Sequence, residues 1–248
     1  MNILIKRLSE DGKDISEQSE VLNNLVSEHI GEDGYLMAEG MPLRESHRHF
    51  SHCMNIFPLC ELDYMNPSDL ELMEKTINNI EKYGTVSWIG FSFVWMAAIY
   101  AHSAKGEEAL RYLNIFADAF VSKNGFHLNG DQKKCGYTRF TYRPFTLEGN
   151  EMFAEAVDEM LMQYHHGKMR LFPAVPAEWQ TDGGCEFYGF KIGADISVSA
   201  SLDGGKVKCV IENRNGEKQM DLVCFDRINR VNLKVGKHEF CFNEYLVN

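Results

Sequence analysis

Long apolar runs are missing from this 248-residue chain. No stretch of about 18 apolar residues occurs, which excludes a membrane-spanning helix. The opening MNILIKRLSEDGKD lacks an apolar segment of the length a secretory leader needs, so the chain is read as cytoplasmic. Positive charge is also scarce. Lys and Arg total 25 against 36 Asp and Glu, for a net charge of −11. That balance is a poor match for a nucleic-acid backbone or an anionic membrane surface, so neither is expected as a partner. Paired cysteines are absent as well. Cys53, Cys60, Cys135, Cys185, Cys209, Cys224 and Cys241 are odd in number, scattered, and contain no C-x-x-C. They read as reduced, mostly buried thiols. No Ser-His-Asp order, G-x-S-x-G, Walker loop or G-x-G-x-x-G is found, and no cofactor is expected.

What is present divides by period. Helical patterns fill the first two thirds. DISEQSEVLNNLVSEHI sets Ile15, Val21, Leu22, Leu25 and Val26 on one stripe. NPSDLELMEKTINNIEKYG places Pro67 near a first helical position and Gly84 at the stop. FSFVWMAAIYAHSAKG is apolar nearly all round and predicts a buried helix. GEEALRYLNIFADAFVSKNG and EGNEMFAEAVDEMLMQYHHG are amphipathic. After about residue 168 the period falls to two. DISVSASL and KVKCVIE flank the turn DGG as a hairpin, and QMDLVCF, VNLKV and HEFCF continue the alternation. The chain is therefore read as α+β. A helical domain (1–168), an incomplete α/α toroid, precedes an antiparallel β-sandwich (169–248). Segments 31–65 and 123–147 are too long for simple connectors, and loops of that length are usually functional.

Four groups of residues carry candidate chemistry. LRESHRHFSHC crowds His47, His49 and His52 with Arg44 and Arg48. Such a cluster fits a metal site, a structural network, or a polar wall for sugar hydroxyls. Two neighbouring cations disfavour the metal, and imidazole and guanidinium are good directed donors to hydroxyls. In YRPFTLEGNEMF, Glu148 stands at the start of a helix, with Gly149 and Asn150 at the cap. It is either a general base in the favourable field of the helix terminus or a residue of purely local effect. The loop NGFHLNGD offers Asn124, His127, Asn129 and Asp131, as sugar contacts or as self-bonded turn residues. Trp88, Phe91 and Trp95 are either a stacking platform or core.

Four segments taken in order carry a resemblance: SHRHFSHCMNIFPL, GFSFVWMAAIYAHSAKGEEAL, RPFTLEGNEMFAEAVDEMLMQ and MRLFPAVPAEW. Together they resemble the C-terminal part of glycoside hydrolase family 95, inverting α-L-fucosidases and α-L-galactosidases. His47 to His52 match the family's H-R-H-x-S-H-L, with Cys53 in place of Leu. Arg143 to Glu151 match P-P-F-Q-I-D-G-N-F, and Glu159 to Gln163 match the helix E-M-L-L-Q. The resemblance implies an oligo- or polysaccharide substrate and an inverting hydrolase, with Glu148 where the family has its catalytic Asp. It also implies substrate contacts at His47 and His49. Trp88, Trp95, Asn129, Asp131, Arg143 and Asn150 complete the expected substrate-binding set, and no metal is expected. The family's G-W-S-R-A-W stands here as GFSFVW, with the basic residue lost at Phe93, and Glu151 replaces an aromatic. These departures point to a different glycan. The family's general acid and its water-positioning Asn pair find no match here. The expectation is therefore a base-carrying portion that works with a second copy or a separate N-terminal half. The alternative is a catalytically inactive carbohydrate-binding or scaffold protein that keeps the fold.

Overall fold

A computed structural model describes residues 2–142, 144–181 and 183–244. Two helices, α1 (Asn2–Glu10) and α2 (Ser16–Asn23), lead into a tiny β1–β2 hairpin (Ile30–Gly31, Gly34–Tyr35). The stripe expected to run to Ile30 stops at α2, which has no buried residue, and Val21, Leu25 and Val26 stay exposed. With only partial cover, from α1 among others, a helix this short lacks the tertiary support that would extend it.

The helical layer is built from four longer helices. α3 (Pro67–Lys82) starts where the Asn66 side chain accepts from the Ser68 amide at 3.1 Å, with Pro67 in the first turn, and ends before Gly84 at φ +66°. α4 (Gly90–His102) is buried on nearly every side, as its composition demands. α5 (Gly106–Phe120) turns Tyr112, Leu113, Phe116 and Phe120 inward. The short pair β3 (His127–Leu128) and β4 (Phe145–Thr146) closes the long loop, and α6 (Glu148–Leu161) follows at once. α4 lies between α5 and α6 at the centre of the first hydrophobic cluster, which reaches from Tyr35 to Met160 and adds Ala174.

The strands begin earlier than the sequence suggested. The pattern of α6 was expected to continue past Met162, yet β5 (Met162–His165) and β6 (Lys168–Leu171) form a hairpin there. After the single-turn α7 (Ala177–Thr181) come β7 (Cys185–Ile192), β8 (Ile196–Asp203), β9 (Lys206–Asn213), β10 (Lys218–Cys224), β11 (Arg227–Leu233) and β12 (Gly236–Asn243). They form two four-stranded sheets, ordered β11-β10-β6-β5 and β12-β9-β8-β7. All pairings are antiparallel except β6 with β10. The buried positions of β8 and β9 alternate, and they share one cluster with Met169, Leu171, Met220 and Leu222 of the other sheet. The fold is therefore α+β, with helices and antiparallel sheets each around a core of their own.

Charged and amide groups join the two parts. Asp63, before α3, receives the Lys168 ammonium at 2.6 Å and the buried Arg170 guanidinium at 2.7 Å. These two cations hold its carboxyl down at about 2 against the opposing effect of burial. Gln163 donates to the Ala101 carbonyl at 2.9 Å. β6 is thereby fixed to the layer that carries the site. No helix among the described residues is long and apolar enough to cross a membrane.

Candidate functional site

The N-terminal ends of α4 and α6 lie side by side, and they gather the candidate residues. Ser92, in the first turn of α4, accepts from the Ile89 amide at 3.2 Å and donates to the Arg48 carbonyl at 2.8 Å. The histidine segment is thus tied to the start of α4. On the other flank the His127 ring fills the space between the two helix ends. A Cβ added at Gly90 would lie 2.2 Å from its Nε2, and one at Gly149 would lie 2.4 Å from its Nδ1. Both helices begin with a backbone that only glycine lets this close to the ring.

The histidine segment is displayed outward. His47, Arg48 and His49 are exposed, while Phe50 between them and His52 is buried. His47 Nδ1 lies 3.2 Å from both the amide nitrogen and the carbonyl oxygen of His49, so its ring is held by the backbone of the same segment. Arg48 Nε donates to His49 Nε2 at 3.3 Å. Partial burial and the Arg48 cation lower the His49 pKa. His52 is turned in, and burial pushes it down to about 4. Neither of its ring nitrogens has a partner. Beside this segment lies a cleft of 380 Å³, lined by Glu45, His47, Arg48, Ser87, Arg139 and Phe140 among others.

Glu148 is the first residue of α6 and is exposed. It sits next to the buried His127 and is the one charge that raises its pKa, against a burial effect that carries it down to about 4. His127 is therefore neutral at ordinary pH, and its Nδ1 pairs with Thr146 Oγ1 at 2.8 Å. Exposed aromatic residues lie in the chain that leads into α6. Phe145 in β4 is exposed, its ring 5.1 Å from that of Phe126, and Tyr142 is exposed as well. The sequence reading passed over these residues because each sits singly in a loop of mixed composition. The tight β3–β4 pairing is what stacks Phe126 on Phe145.

Several expected sugar contacts face the protein instead. Trp88 is 1% exposed and packs on Phe50, Phe93 and Tyr112, so its ring faces are occupied. It extends the core because its neighbours on α4 and α5 are themselves aromatic. Asp131 is fully buried and accepts from the amides of Cys135, Gly136 and Tyr137, which folds the loop after it. Asn150 does not cap α6. Its oxygen accepts from the His127 amide and its nitrogen donates to the Gly125 carbonyl, both at 2.8 Å. Trp95 is half-buried, with Nε1 donating to the Phe57 carbonyl at 3.1 Å and its ring 5.8 Å from that of Phe91. Asn129 is half-buried, and its side-chain oxygen is turned into the protein, with no partner among the described residues. Arg143 lies outside the described residues. Among the described residues, no three His, Cys, Asp or Glu side chains converge as metal ligands.

The starts of α4 and α6 thus hold an exposed carboxylate, Glu148, at the same end of the helical layer as the outward His47, Arg48 and His49. The profile of the glycosyl hydrolase family 95 catalytic domain matches residues 3–161, and the chain belongs to that family. Over 138 residues it is 30% identical to alpha-L-fucosidase 2 of Arabidopsis thaliana, a match that covers 55% of this chain. The chain spans 16% of that relative's length.

Proposed function

We propose that this chain carries the base side of an inverting glycoside hydrolase site, with Glu148 as the general base. The carrying observation is the position of Glu148. It is an exposed carboxylate at the start of α6, at the same end of the helical layer as the His47–His49 wall, within a stretch that matches a glycosyl hydrolase catalytic domain. In an inverting reaction the base takes a proton from water as that water attacks the anomeric carbon. An acid on the opposite face protonates the leaving oxygen, with the two carboxyls about 6.5–9.5 Å apart. His47 and His49 hold sugar hydroxyls in this reading, and Phe145 and Phe126 offer a ring face.

The acid is assigned to no described residue. Glu155, raised by burial and by Glu159 and Asp158, lies two turns along the same helix as Glu148, about 10 Å away in rise alone. Acid and base on one helix face cannot stand on opposite sides of a sugar ring. We therefore assign the acid to residues beyond the described ones, in a second copy or in an N-terminal half of the site. In the same proposal the helical layer is a partial α/α toroid, the two sheets are a β-sandwich, and the domains meet near residue 168. The boundary falls in the turn of the β5–β6 hairpin.

The test is turnover of a panel of aryl glycosides, with α-L-fucoside and α-L-galactoside included, by the chain and by Glu148→Gln. Turnover that vanishes in the variant supports the base, and turnover per chain that rises with concentration supports an acid from a second copy. The missing acid also favours a second reading, a carbohydrate-binding protein without catalysis. Sugar binding without turnover on any glycoside would establish that reading and end the first.

A further inference from the structure

The cleft beside His47 carries a charge that runs against the rest of the molecule. The chain as a whole has a net charge of −11. From residue 44 onward, most described arginines are engaged. Arg111, Arg170, Arg214 and Arg230 each hold a carboxylate, and Arg227 donates to the Glu244 carbonyl. Arg48 and Arg139 both line the cleft, and neither has a carboxylate partner among the described residues. Arg48 gives Nε to the His49 imidazole, and the Arg139 guanidinium lies 5.2 Å from the centre of the Phe140 ring. Neither contact neutralises a charge. One acidic residue, Glu45, lines the cleft against the two arginines and His47.

The cleft is also built rather than incidental. Ser46 Oγ donates to the Gly84 carbonyl at 2.7 Å and accepts from the Ser87 amide at 3.0 Å. The Arg139 amide donates to the Val86 carbonyl at 2.9 Å, and Thr138 Oγ1 donates to the Trp88 carbonyl at 2.6 Å. Ser92 holds the Arg48 carbonyl from the start of α4. Three segments far apart in sequence are thereby fixed, and the two guanidiniums come to one opening of 380 Å³, room enough for a sugar residue and its substituent. Guanidinium matches carboxylate and sulfate oxygens through paired N–H donors, and an unpaired cation gains most from such a group.

We infer that this cleft binds the anionic group, carboxylate or sulfate, of an acidic saccharide, with Arg48 and Arg139 as the residues that read the charge. The inference rests on the reading of this end of the molecule as a saccharide site. It assigns the substrate class as acidic glycan rather than neutral glycan.

Isothermal titration calorimetry of the whole chain tests it with two matched pairs of probes. One pair is trigalacturonic acid and its carboxyl-reduced neutral trisaccharide. The other is a sulfated L-fucose trisaccharide and its desulfated form. The acidic member of at least one pair should bind about tenfold tighter or more. Whichever pair shows the preference identifies the group as carboxylate or sulfate. The advantage should shrink as salt rises through about 0.15 M. It should disappear in Arg139→Gln and in Arg48→Gln, and return in part in Arg139→Lys, which restores charge without the planar fork. Equal affinity for acidic and neutral members overturns the inference and leaves the saccharide site standing. A preference that survives both Gln substitutions overturns it too, since the charge is then read elsewhere. If neither member of either pair binds, the saccharide-site reading falls with it.

Discussion

Two loops of this protein carry the same residue types and do opposite things with them. Segment 44–52 turns His47, Arg48 and His49 to solvent, where their contacts are mostly with one another. Segment 122–131 turns His127 and Asp131 inward and binds both to backbone or neighbouring side chains. The first loop offers donors to a ligand. The second uses its polar groups to hold the start of α6, and with it Glu148, in place. The difference lies in what each histidine has beside it. His127 is wedged between two helix starts that lack side chains at Gly90 and Gly149, while His47 has only His49 at 5.6 Å between ring centres.

If that contrast is right, filling the wedge should do the most damage. Gly149→Ala puts a Cβ within 2.4–2.7 Å of three atoms of the His127 ring, which Gly90 prevents from retreating. Overpacking of this kind should cost about 3 kcal/mol of stability, read as a lowered midpoint in urea unfolding. A change below about 0.5 kcal/mol, the usual size for a surface site, would mean the ring is free to move and the wedge is not a constraint.

Acid should separate the loops next. Burial depresses His127 to about 4 in the folded protein. The unfolded chain takes up the proton near pH 6.5, so between about 6.5 and 4 it binds more protons than the native state. The stability attached to the neutral ring is present above that window and is lost as pH falls through it, by about 2–3 kcal/mol for His127. His52, lowered to about 4 by burial, acts in the same direction over the same range. Urea midpoints from pH 7 to 4 should therefore fall, and His127→Asn should flatten part of the decline. Asp63, held at about 2, keeps its contribution through this window and loses it only below about 4, so the two effects do not overlap.

The smallest effect belongs to the displayed loop. His47→Ala should change stability by no more than about 0.5 kcal/mol, because an exposed ring bonded only to its neighbours contributes little to packing. It should weaken saccharide binding at the same time. A loss of stability comparable to that of Gly149→Ala would make His47 part of the scaffold and erase the contrast.

Much of this was legible before any coordinates. The change of period near residue 168 announced helices followed by sheets, and Pro67 and Gly84 bounded α3 where they were expected to. Glu148 was placed at a helix start, and the order of the four motif segments gave the family. Other signals were weaker than their surroundings. The strand Met162–His165 hid behind the apolar tail of α6, since four residues at a helix end fit either period. Nothing local tells an aromatic in a sugar site from one in a core, so Trp88 stayed open between the two until Phe50, Phe93 and Tyr112 were seen packed on it.

By itself, then, the sequence determined the fold class, the family and the helix that presents the carboxylate, because these follow from short-range periodicity and from motifs contiguous along the chain. Tertiary structure alone decided which polar side chains remain available. His47 and His127, Arg139 and Arg170 differ in what lies against them from distant segments, and burial and pairing are set by that packing rather than by neighbours in sequence.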